Sequence, residues 1–209
     1  GTSFATIVIT GFSSAQRHHK LGNIVWSAVK VLAPMVMISV FISGLFIGKL
    51  DREVSAKIFA CLVVYLAAKM VISIKKSTGE TKPLTTQSSV IGGILIGMAS
   101  SAAGIGGGGF IVPFLNSRGI DMKKAIGSSA FCGALLGLSG MLSFMVSGWG
   151  NPSMPDYSLG YIYLPAVLGI TATSFFTSKL GATATSKLPV PTLKKGFALL
   201  LIAIAVDMF

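Results

Sequence analysis

The chain has 209 residues, of which 52% are apolar, 11% are charged and 25 are glycine, and its mean hydropathy is +0.79. A soluble domain carries about a quarter charged residues because its surface faces water, so this composition excludes an ordinary soluble fold and makes the bilayer the natural solvent. The net charge of +11, from 17 Lys and Arg against 6 Asp and Glu, would suggest a nucleic-acid partner in a soluble protein. Here the cations separate apolar runs of about 20 residues, the length that crosses a hydrocarbon core. They read as topology signals and contacts for anionic membrane lipids, and no nucleic-acid partner is expected. Cys61 and Cys132 lie inside apolar runs and read as small buried hydrophobes.

Seven apolar segments follow in chain order: 3–16, 24–48, 57–74, 88–115, 125–147, 159–178 and 196–209. The fold class expected is an all-α polytopic membrane protein. Five connections are basic, carrying Arg17, His18, His19 and Lys20, then Lys49 and Arg52 with Lys57 at its end, then Lys75, Lys76 and Lys82, then Arg118, Lys123 and Lys124, then Lys179, Lys187, Lys194 and Lys195. The connection from Ser147 to Gly160 has no Lys or Arg.

Two related halves are legible. Gly1-Thr2-Ser3 matches Gly127-Ser128-Ser129, Leu32-Ala33-Pro34 matches Tyr163-Leu164-Pro165, Lys49-Leu50 matches Lys179-Leu180 and Phe59-Ala60 matches Phe197-Ala198. The offset drifts from 126 to 138 residues. The division expected is 1–76, the later part of a first repeat, and 77–209, a second repeat. Nothing before Gly1 corresponds to 77–126, so a first copy of the glycine-bearing segment, roughly 40 residues for equal repeats, is expected to be absent from this sequence.

Whether 88–115 crosses once or turns back decides the topology. A crossing divides the Lys and Arg of the connections 10 against 5, and a turn divides them 12 against 3. Cytoplasmic loops collect these residues, so the turn is favoured. It leaves three crossings between equivalent points of the halves, which makes the repeats inverted.

The chemistry is expected around Gly104-Ile105-Gly106-Gly107-Gly108-Gly109-Phe110-Ile111-Val112-Pro113. Each glycine disfavours a helix by about 1 kcal/mol against alanine, and Pro113 removes a backbone donor, so the helix is expected to break. Irregular backbone at membrane depth survives only inside protein or beside a wet cavity, and a helix that starts there aims free N–H groups at an anion. Gly106, Gly107, Gly108, Gly109 and Pro113 are therefore candidate substrate-binding residues. Gly133 and Gly137, spaced Gly-x-x-x-Gly, read as helix packing. Thr2, Ser3, Ser128 and Ser129 occupy equivalent helix starts, where a hydroxyl either caps the backbone or meets a substrate, and their recurrence favours a site. Arg17, His18 and His19 mark an entrance or a positive-inside anchor.

No metal site is expected, because the two histidines are sequence neighbours without a thiol or carboxylate at ligand spacing. No cofactor and no catalytic residue are expected either. No apolar segment holds a central acid, which weakens an intramembrane proton relay.

Ala103-Gly104-Ile105-Gly106-Gly107-Gly108, with Val112-Pro113-Phe114-Leu115 and Lys124-Ala125-Ile126-Gly127-Ser128-Ser129-Ala130, resembles the second-repeat signature of the sulfite exporter TauE/SafE family of membrane permeases. The stretch Gly1-Thr2-Ser3 through Arg17-His18-His19 resembles the later part of that family's first repeat. The resemblance implies a multi-pass protein of the bacterial inner membrane that moves small anions, such as sulfite, sulfonates or organic acids. It also implies a substrate site at Gly106, Gly107, Gly108 and Pro113, with Ser128 and Ser129 beside it and Thr2 and Ser3 opposite. A coupling proton or sodium ion and a homodimer are compatible with this plan. A non-transporting scaffold or accessory subunit is the competing reading, and a membrane-embedded enzyme is disfavoured by the lack of paired acids, paired histidines and reactive thiols.

Overall fold

The computed structural model describes residues 1–47, 84–104, 106–193, 195–196 and 199. The expected segment 57–74 and most of 196–209 lie outside the described residues.

Helix α1 (Thr2–Lys20) ends in Arg17, His18, His19 and Lys20, cationic or ionisable side chains placed where the helix dipole is negative. Helix α2 (Trp26–Ile47) contains Pro34. Helix α3 (Thr86–Ala103) starts with a reciprocal capping box between Thr85 and Ser88 and stops at Gly104, whose φ of 64° is left-handed. Helix α4 (Gly108–Ser117) follows, and α5 (Met122–Ser147) opens on Asp121, whose carboxylate accepts from the Lys123 N–H. Strands β1 (Ser158–Leu159) and β2 (Ile162–Tyr163) pair antiparallel before α6 (Leu164–Lys187). Pro165 sits in the first turn of α6, where its missing donor costs nothing.

Two expectations change, for segment 159–178 and for Pro113. Segment 159–178 is a short strand pair followed by a helix that continues to Lys187. Segment 88–115 comprises two helices. Pro113 stops neither of them. It lies buried within α4 and removes a single intrahelical bond, the one the Gly109 carbonyl would accept. Among the described residues, Trp26–Phe46 and Met122–Ser147 are long and apolar enough to cross a membrane.

The helices take two directions. Phe4 stacks on Phe144 at 5.6 Å and Phe12 meets Phe131 edge-on at 6.4 Å, so α1 and α5 are antiparallel. The Ser139 hydroxyl donates to the Met37 carbonyl and that of Ser143 to the Phe41 carbonyl, which sets α2 parallel to α5. Gly93 lies against Met35 and Gly97 against Ser39, so α3 also runs with α2. Helix α4 folds back along α3, bringing Gly92 against the Phe114 ring. Phe4, Leu32, Val36, Ile111, Leu115 and Leu136 lie in the shared core.

Contacts across α1 and α5 recur in matched pairs. Thr2 Oγ1 accepts from the Tyr163 N–H at 3.0 Å, and Ser128 Oγ accepts from the Val25 N–H at 2.9 Å. Gly1 presses on the Tyr161 carbonyl and Gly127 on that of Asn23. Ser13 donates to the Phe175 carbonyl at 2.9 Å and Ser139 to that of Met37 at 2.6 Å. Gly11 abuts Ala134, and Gly137 abuts Val8. Every pair maps onto the other by a step of 126 residues between α1 and α5 and of 138 between α2 and α6. The second step places Pro34 opposite Ala172 and not opposite Pro165.

Charge is polarised along the bundle. Every Lys and Arg of the described residues up to Lys187 lies in the half where α1 and α6 end and α2, α3 and α5 begin. The opposite connection, from Gly148 to Tyr161, carries only Asp156.

Candidate functional site

The chain between α3 and α4 reaches the middle of the bundle. A side chain at Gly107 would meet Leu136, near the centre of α5, at 2.6 Å, and one at Gly106 would meet Ile7 of α1 at 2.8 Å. Both glycines are closely packed, and a side chain at either would push aside the ends of apolar side chains. Gly108 is different, because a side chain there would meet nothing within 4 Å. It opens on a cavity of about 450 Å3 lined by Gly108 and Val112 of α4, Ile126 and Ser129 of α5, Thr185 of α6, and Leu188, Thr192, Leu193 and Gly196 beyond it.

The first turn of α4 faces this space. The Phe110 and Ile111 N–H groups donate to the Gly107 carbonyl at 3.0 and 2.7 Å, and Gly108 N–H donates to Gly106. A helix N-terminus carries partial positive charge, so an anion in the cavity meets a favourable field at Gly108. The hydroxyls of Ser129 and Thr185 donate back to the Ile126 and Gly181 carbonyls, each at 2.8 Å. Such local back-bonds are weak competitors, and either proton can turn onto a stronger acceptor.

Two cations are held by the last turns of α6. Arg17 Nε donates to Thr183 Oγ1 at 2.9 Å, and Lys123 Nζ donates to the Ser186 carbonyl at 2.7 Å. Both anchors lie within two residues of Thr185. His19 is exposed and meets Trp26 edge-on at 5.7 Å. His18 is buried, and its Nδ1 has no partner among the described residues.

The expected site residues therefore fall into separate places. Gly108 and Ser129 share the cavity, with Gly109 next to Gly108 in the first turn of α4 and Pro113 buried deeper in that helix. Gly106 and Gly107 form the packed tip beside them. Ser128 is fully buried, and its hydroxyl closes the start of α2. Thr2 performs the equivalent task at the start of α6, and Ser3 is exposed beside it, at the opposite end of the bundle from Ser128 and Ser129. Gly137 packs against α1, whereas Gly133 faces open space. Sequence reasoning missed Thr185, Leu188, Thr192, Leu193 and Gly196. Their only signal is the small, hydroxyl-rich run at the end of α6 and the Leu188-Pro189-Val190-Pro191 stretch that bends the chain back over α5.

Residues 1–208 match the family model described as sulfite exporter TauE/SafE. The chain belongs to this family. A probable membrane transporter protein of Haemophilus influenzae is 81% identical over 209 residues, which are 100% of this chain and 79% of that protein. A probable membrane transporter protein of Methanocaldococcus jannaschii is 26% identical over 189 residues, 90% of this chain and 70% of that protein. No solved structure matches. As a TauE/SafE member the chain is a membrane protein of a transporter family, not an enzyme.

Proposed function

We propose that this TauE/SafE protein moves small anions, of the sulfite, sulfonate or related organic-acid type, across the bacterial inner membrane by alternating access. The observation that carries this reading is the cavity at Gly108, where the start of α4 meets the hydroxyl-bearing Ser129, Thr185 and Thr192. Desolvating an anion is costly unless protein donors replace its water. The positive end of α4 and rotatable hydroxyls offset that cost without a fixed charge that would trap the cargo. Arg17 and Lys123 raise the local anion concentration around the end of α6.

The halves are inverted repeats in this account. Two antiparallel helices, such as α1 and α5, exchange only about a two-fold axis perpendicular to them. That axis lies in the membrane plane when they span it. The segment 86–117 is then a re-entrant pair whose glycine tip stops at mid-depth and whose ends share the basic side, which the distribution of Lys and Arg makes cytoplasmic. Rocking of one half against the other opens the tip to either side in turn.

A non-transporting scaffold accounts for Gly106 and Gly107, which pack tightly. It gives no role to the space beside Gly108, where a side chain would meet nothing within 4 Å. The test is thermal stabilisation of the purified protein by sulfite and sulfoacetate, since a ligand of the folded state alone stabilises by RT ln(1 + [L]/Kd). A dose-dependent shift lost in Gly108→Leu supports the reading. A wild-type protein indifferent to every small anion refutes it.

A further inference from the structure

The last turn of α3 contains two buried polar groups that the anion site does not use. Ser100 and Ser101 are 0% and 1% exposed, and neither hydroxyl has a hydrogen-bond partner among the described residues. Buried hydroxyls are ordinarily satisfied, and their neighbours follow that rule. Ser39 donates to the Ile94 carbonyl, Ser43 to that of Ser39, Ser139 to that of Met37 and Ser143 to that of Phe41.

Their position is specific. Ser100 and Ser101 lie three and four residues after Gly97, whose backbone presses on Ser39 and the Val36 carbonyl. They therefore continue the α2-facing stripe of α3. This is also where α3 stops. Gly104 N–H reaches back only to the Ser101 carbonyl, at 3.4 Å, and the terminal carbonyls of a helix carry partial negative charge. Oxygen from hydroxyl and carbonyl groups, without N–H donors, is chemistry for a hard cation. No acidic residue and no histidine lies in α2, α3, α4 or α5, so a proton has no carboxylate or imidazole to occupy in these helices, whereas a monovalent metal ion needs neither.

We propose that the end of α3 binds a partly dehydrated monovalent cation of the sodium type, held by the Ser100 and Ser101 hydroxyls and the free carbonyls of that turn. The glycine tip then separates two sites of opposite sign, a cation at the C-terminus of α3 and an anion at the N-terminus of α4. Ion binding stands on the α3 geometry alone. Its role in coupling rests on the transport reading above.

The experiment measures thermal stability of the full chain in choline, potassium and sodium chloride, for wild type, Ser100→Ala and Ser101→Ala. Sodium is expected to raise the unfolding temperature of wild type above its value in choline or potassium. Each substitution is expected to weaken the half-maximal sodium concentration by roughly tenfold or more, the effect of losing one contact to a charge. In choline both variants should be as stable as wild type or more so, because alanine removes an unsatisfied hydroxyl. Equal stability of wild type in all three salts, or an unchanged sodium response in both variants, overturns the proposal. Anion stabilisation measured in choline is independent of this result, so failure of the cation site is distinguishable from failure of the anion site.

Discussion

Adjacent serines at the start of α5 allow structure and binding to be separated. Ser128 is fully buried and its oxygen is the acceptor for the Val25 N–H at 2.9 Å. Ser128→Ala leaves that buried donor unsatisfied, which costs about 1–3 kcal/mol. At about 2–4 °C per kcal/mol for a chain of this size, a loss near 2 kcal/mol lowers the unfolding temperature by about 4–8 °C. Ser129 makes only a local bond to the Ile126 carbonyl, and it is one of the residues lining the cavity. Ser129→Ala removes a bond made within one turn and should cost about 1 kcal/mol or less. It should weaken anion binding by roughly 10- to 100-fold, the loss of one hydrogen bond to a charged group at about 1.5–3 kcal/mol. Differential scanning fluorimetry of the two variants with and without sulfite reads both effects. The reasoning is refuted if Ser128→Ala abolishes the anion response at unchanged stability, or if Ser129→Ala unfolds early and binds normally.

Further outcomes follow from the same contacts. Gly127→Ala drives a methyl into the Asn23 carbonyl and should destabilise by about 1–3 kcal/mol, whereas Gly133→Ala, with nothing within 4 Å, should stabilise α5 by up to about 1 kcal/mol. Thermal melts of both variants check the pair. Gly108→Leu fills the cavity and should abolish flux while expression and membrane insertion stay at wild-type levels, read by western blot of membrane fractions. The charge distribution predicts that Asp156→Cys reacts with an impermeant maleimide in intact cells, and that Arg118→Cys reacts only after the inner membrane is opened. Labelling of both from the same side would contradict a membrane crossing by α5 between them.

The sequence was informative where the physics is local or repeated. The 126-residue offset is legible in Gly1-Thr2-Ser3 against Gly127-Ser128-Ser129, whereas the 138-residue step of the α2 and α6 contacts is not, because the short identities there align Leu32-Ala33-Pro34 and Lys49-Leu50 at 131 and 130. Glycine marks the end of α3 after Ala103, because a left-handed residue such as Gly104 has a local cause. The proline signal was read too broadly, since one missing donor at Pro113 is tolerated inside a buried helix. The cavity was half legible. Gly108 and Ser129 were on the page, but Thr185, Thr192 and Gly196 reach them only because α6 packs parallel to α1 and the chain then turns back, a long-range event with no signature of its own. The hydroxyls of Ser100 and Ser101 look like any membrane-helix serines until their partners are counted.

The most direct test of the central claim is counterflow of radiolabelled sulfite or sulfoacetate in proteoliposomes containing the full-length protein, with sodium, potassium or choline outside. The account predicts saturable uptake into vesicles preloaded with the same anion, dependent on Gly108 and stimulated by sodium. Folded, correctly inserted protein that gives no flux above empty vesicles for any small sulfur oxyanion or carboxylate, under every gradient, would contradict it.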